Sequence, residues 1–164
     1  MAFCSTSWQF ALGWYGGGNG RRFDALSLTQ PDPMGVMATR DGDPVGWCAC
    51  GPRARYTAAL AGRSKLLSDR PREEDDDVWL VACLFVPPVA EGSGVVVPLL
   101  RAAIAVAADA GAAAVEAWPL ASGVRRPAEA HVGREAVFGR LGFHCVARPS
   151  PERVLMRLEL CSAL

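Results

Sequence analysis

Glu91, Gly92, Ser93 and Gly94 stand between an apolar, β-branched run and an alanine-rich stretch, a placement that suits an anion. The free backbone N–H groups at a helix start point at such a ligand, and the helix dipole favours negative charge there. Glycine is needed because a side chain would hold the ligand off the backbone. A phosphate-bearing cofactor lying across 92–94 is therefore expected. Among the remaining residues, Glu116 lies mid-strand between apolar neighbours. Burial would raise its pKa and equip it as a general base or an anchor for an amine. The same position also suits a carboxylate that reaches solvent or pairs with an arginine. His131 titrates near neutrality if unperturbed and reads as a general base or as an ordinary surface histidine.

The elements that must position these residues follow an alternating order. The apolar run 78–86 is rich in β-branched and aromatic residues and predicts a buried strand. It leads through the glycine turn into a helix from about 95 to 110, with Pro98 in the first turn and Gly111 as a stop. A strand follows over 112–119, and a loop through Arg125, Arg126 and His131 leads to a short helix over 134–141. The last strands are expected over 143–147 and 154–160, separated by a turn at 148–153. Upstream, 35–40 and 45–50 flank Asp41-Gly42, a strong hairpin signal. Residues 15–20 read as a flexible loop, 55–67 as a short helix or irregular excursion, and 71–77 as a charged, solvated loop. The fold class is α/β with a mixed sheet, in one domain.

Composition narrows the function. With 164 residues the chain is long enough for a full core, and 51% hydrophobic content argues against disorder. Formal net charge is zero, and without a basic stripe a nucleic acid is an unsuited partner. The longest apolar stretch contains Pro98 and Arg101 and is too short to span a membrane. No secretory signal is visible, so a soluble, cytoplasmic protein is expected. Arg supplies nearly all positive charge, Lys65 being the sole lysine. The six cysteines lack paired zinc spacing. Cys48 and Cys50 share a strand face, but a metal there would need two further ligands from His131 and His144. Buried structural thiols are the better reading, and no metal is expected.

The order of strand, Val86-x-Pro88-x-x-Glu91-Gly92-x-Gly94, long helix, strand, short helix, Leu141-Gly142-Phe143 and hairpin resembles a GNAT N-acetyltransferase. With Gly46-Trp47-Cys48 on the strand after the first hairpin, the resemblance covers residues 35–160, with 1–34 as the variable acceptor side. It implies a mixed sheet whose strands at 78–86 and 114–118 splay apart, with acetyl-CoA in the gap. Backbone groups of Leu84, Phe85 and Val86 would pair with the pantetheine arm, and the amides around Gly92, Ser93, Gly94 and Val95 would hold the pyrophosphate. An amine of a small molecule or peptide would attack the thioester directly. Glu116 would flank the acetyl group, and His131 would lie in a loop over the site. Cys83, one residue before the pantetheine-pairing segment, reads as an acetyl carrier, an acid or a small buried hydrophobe. Trp47, Trp79 and Trp118 would line an acceptor pocket or the core. Asp75, Asp76 and Asp77 would steer a cationic acceptor or sit in a solvated loop. Many relatives form dimers, so a homodimer is compatible.

Several positions depart from the family pattern. Glu91 stands where Arg or Gln is usual, and Val96 where Gly or Ala is. Phe138 occupies the place of the family's general-acid tyrosine, and phenylalanine cannot protonate a thiolate. The chain opens with residues resembling the family's helical region, which implies a sheet without its first strand or a shortened start. These departures leave a second reading open: a degenerate GNAT-fold domain for acyl-CoA binding or protein interaction. A dinucleotide-binding domain is disfavoured because only one βαβ unit is present.

Overall fold

The computed structural model describes the backbone of residues 2–4 together with residues 28–56, 70–124 and 132–160. Its centre is a seven-stranded sheet in the order β1-β2-β3-β4-β5-β7-β6. β1 (Ala2–Cys4) pairs antiparallel with β2 (Gly35–Arg40). The expected loss of a first strand is thereby corrected: Ala2 to Cys4 complete the ladder at Thr39, Ala38 and Met37. β2 turns tightly into β3 (Asp43–Pro52) through Asp41 at φ 54° and Gly42 at φ 90°. Two successive left-handed residues form the hairpin turn whose twist matches the flanking strands, as Asp-Gly predicts.

β4 (Val78–Phe85) lies antiparallel to β3. Its crossover to β5 (Ala114–Ala117) runs through α1 (Val96–Asp109), which makes β4 and β5 the parallel pair. In α1, Leu99, Leu100, Ala103 and Ala107 are buried, at the three- and four-residue spacing of one helix face. The alanines let the helix lie close to the sheet, while Leu99 and Leu100, both 0% exposed, each contribute about 2 kcal/mol of burial. The helix closes with Ala112 N–H on Ala107 O at 3.0 Å and Gly111 N–H on Ala108 O at 2.9 Å. After α2 (Glu135–Gly139), the hairpin of β6 (His144–Ser150) and β7 (Arg153–Glu159) places β7 beside β5. β6 runs to Ser150, so the turn expected at 148–153 contracts to Pro151 and Glu152.

The sheet has two unlike faces. Trp79, Val81, Leu84, Val115, Ala117 and Met156 join α1, Phe138 and Phe143 in the main core. The opposite face carries a smaller apolar cluster of Leu80 and Leu155, packed by Tyr56, Ala82 and Trp118. Beside that cluster lie Glu116 and Arg157, paired across β5 and β7. Among the described residues no helix is long and apolar enough to cross a membrane.

Candidate functional site

The parallel pair opens where the sequence places its glycine turn. β4 and β5 are in register from Val78 with Ala114 to Val81 with Ala117, and pairing stops there. The next β4 residue, Ala82, is skipped in the β3 ladder, which passes from Cys83 opposite Ala49 to Val81 opposite Cys50. Such a bulge bends a strand and raises its twist. Beyond it β4 stays with β3, Leu84 opposite Cys48 and Phe85 opposite Trp47. The chain after β5 instead follows β7: Arg153 Nη1 donates to Trp118 O at 3.2 Å and Val154 N–H to Pro119 O at 3.2 Å. The two strands thus follow different neighbours, and a gap opens between them. Burial changes at the same point, since 78–81 and 114–117 are buried while Ala82, Cys83 and Trp118 are half-buried.

At the end of this gap the chain makes a short 3₁₀ turn (Pro88–Ala90) and enters α1. Gly92 and Gly94 have φ of 73° and 75°, a region L-residues rarely adopt, and a Cβ at either would meet open space. Ser93 N–H donates to Ala90 O at 3.2 Å. The amides of Gly92, Gly94, Val95, Val96 and Val97 have no acceptor among the described residues. Val95 gives α1 no side-chain cap, and no acidic residue lies in its first turn. Ser93 Oγ is also buried without a hydrogen-bond partner. Five free amides, one orphan hydroxyl and two unobstructed glycines form a set of donors fitted to a phosphate group. Glu91 is exposed, so its carboxylate is free to turn into solvent.

No family model and no curated protein matches the sequence. Solved structures do. The ribosomal-protein-alanine N-acetyltransferase from Brucella melitensis is similar at 19% identity, with a TM-score of 0.58 over 87% of this chain and 77% of that one. The yncA protein of Salmonella typhimurium, solved with its cofactor acetyl-CoA, is similar at 15% identity, with a TM-score of 0.57 over 89% and 75% of the two chains. The GNAT domain of S. lividans PAT is similar at 21% identity, with a TM-score of 0.51 over 77% and 60%. The chain has the GNAT fold.

Within the GNAT fold, Glu116 is held between two arginines. It is 3% exposed, and both carboxylate oxygens are occupied. Arg53 Nη1 donates to Oε2 at 2.8 Å, and Arg157 Nη1 donates to Oε1 at 3.2 Å. A carboxylate whose lone pairs are committed to two guanidinium groups is a structural counter-ion, and the arginine-paired reading of this residue is the one the geometry fits. The same network corrects Asp75, which is not a free steering charge. Arg70 holds it through Nε at 2.8 Å and Nη2 at 2.7 Å, and Arg53 Nε through a 2.7 Å bond. These bonds, that from Arg70 first, pull the Asp75 carboxyl below its usual range.

The other candidates fall in different places. Cys83 is half-buried beside the bulge, and burial pushes its thiol up, so it stays protonated near neutral pH. Leu84 is buried in the main core, with Phe85 and Val86 half-buried beyond the last β4–β5 pair. Phe138 is 0% exposed and stacks edge-on against Phe143, ring centroids 5.1 Å apart. In this conformation its ring offers no surface to a ligand and ties α2 to the core. Trp79 is buried on the α1 face, and Trp47 is buried too. His131 lies outside the described residues. The fully buried Arg53 escaped the sequence reading because its partner Glu116 is 63 positions away and nothing local marks it. Arg53 opens a 3₁₀ turn (Arg53–Tyr56) in a stretch with no regular pattern.

Proposed function

We propose that the chain is an acetyl-CoA-dependent N-acetyltransferase acting on a primary amine of a small molecule or peptide. The observation that carries this is the coincidence of the β4–β5 gap with the donor-rich turn before α1. Bound acetyl-CoA would supply an activated thioester. The amides of Gly92, Gly94, Val95 and Val96 would hold its pyrophosphate, with Ser93 Oγ as a further donor. The backbone of Leu84, Phe85 and Val86, beyond the last β4–β5 pair, would take the pantetheine arm as an added strand. Val96 is compatible with this role because the backbone supplies the contacts. The amine attacks directly: with its thiol protonated, Cys83 is unsuited to carry the acetyl group, and with Glu116 paired the base lies elsewhere.

A second reading, acyl-CoA binding without turnover, is favoured by one observation: the position of the family's acid is a buried phenylalanine. An assay of CoA thiol release across a panel of amines separates the two. Transfer is expected, with Cys83→Ala retaining the wild-type rate within about twofold. Binding without release of CoA for any amine would favour the second reading.

A further inference from the structure

Gly46 is buried in β3, beneath the start of α1. Its φ is not positive, so no backbone conformation reserves the position for glycine. A glycine inside a strand weakens it, and one is kept where another part of the chain must come close. Here two parts come close at once. A Cβ on Gly46 would stand 3.2 Å from Leu99 Cδ2, 3.5 Å from Val95 Cγ2 and 3.6 Å from Phe85 O. The first of these is tighter than Cβ contacts normally are, and Leu99 is 0% exposed, enclosed by the core. Across the ladder from Gly46 is Ala38, another small residue of the same core. The helix α1 thus starts on a floor of small residues. Val95, which caps it, carries one of the free amides of the turn.

We infer that Gly46 is a positioning residue: by lacking a side chain it sets the spacing between the donors at the start of α1 and the backbone at Phe85. In the reading above acetyl-CoA is held at both places, its diphosphate at the turn and its pantetheine arm along 84–86. One spacing must serve both. A methyl group added at 46 meets Leu99 first, and the helix start must yield by a few tenths of an ångström. A close-packed core has little slack to absorb the shift elsewhere. The glycines of the turn and Ser93 keep their own chemistry; what changes is their distance from Phe85. This role rests on the acetyl-CoA reading.

The test is calorimetric titration of the full chain with acetyl-CoA for wild type, Gly46→Ala, Leu99→Val and the double variant, with a thermal melt of each. Gly46→Ala is expected to weaken acetyl-CoA about fivefold, since misplacing a positioned group by about 1 Å can cost about a hundredfold. Its melting temperature should stay close to that of wild type, because replacing a flexible glycine offsets the tighter packing. Leu99→Val removes the methyl group that a Cβ at 46 would meet. The double variant should therefore bind within about twofold of wild type, as should Leu99→Val alone, although both melt lower for the lost core volume. Affinity regained in a less stable protein is what a merely structural glycine would not show. Unchanged affinity in Gly46→Ala, or a loss that Leu99→Val does not relieve, would overturn the inference and leave acetyl-CoA binding standing. Failure of wild type to bind acetyl-CoA would refute both.

Discussion

Ser93 Oγ is buried in the turn before α1 and meets no acceptor or donor, a state that costs a fold about 1–3 kcal/mol. Next to it, Gly92 and Gly94 hold left-handed backbone over open space. Both features make sense if an anionic group completes the turn. Ser93→Ala is then expected to leave the melting temperature unchanged or raised while weakening CoA binding about tenfold, the value of one hydrogen bond to a charged group. Thermal melts and a CoA titration of the same preparation check it; unaltered affinity would remove Ser93 from the site. At this scale the glycines were legible, because their role depends on local backbone and on adjacent elements. Glu116 was legible only as an anomaly, a charge within a strand. Its partners Arg53 and Arg157 come from distant elements, and no spacing rule connects them.

The elements owe the gap to competition for neighbours. β4 is kept by β3 and the end of β5 by β7, and the bulge at Ala82 lets them part. Strands, helix and glycine turn could be read from hydrophobic pattern, but the bulge has no composition of its own, and neither does the network around Asp75. The segment 71–77 looked solvated because of its charge. In the structure its Glu74 and Asp75 clamp the end of β3 and β7 through Arg53 and Arg157. Arg70 and Arg53 hold the Asp75 carboxyl below the usual aspartate range. It therefore contributes stability that is fully present above pH of about 4 and lost as pH falls through the lowered native value. Asp75→Asn is expected to cost about 2 kcal/mol at pH 7, or roughly 4–8 °C in melting temperature for a chain of this size. The difference from wild type should shrink as pH falls below the ordinary aspartate range. Melts at pH 7 and pH 3 check this, and a difference independent of pH would mean the carboxylate charge is not what matters.

For the molecule as a whole, the fold class followed from element order, and the GNAT fold is what the solved structures show. The N-terminal strand was misjudged because three residues carry too little pattern to be read as a strand. β2 supplies their ladder, and that is tertiary information. Function is carried by the site and not by the fold, so the proposed activity stands or falls with acetyl-CoA binding at the turn 92–94. The most direct measurement is calorimetric titration of wild type and Gly94→Arg with acetyl-CoA, using NAD as comparator. Because a Cβ at Gly94 meets nothing within 4 Å, the variant should fold, with backbone strain costing about 1–2 kcal/mol. Saturable binding of acetyl-CoA but not NAD by wild type, abolished in the folded variant, is the predicted result. Absence of binding to wild type, or equal binding to Gly94→Arg, would contradict acetyl-CoA binding at this turn.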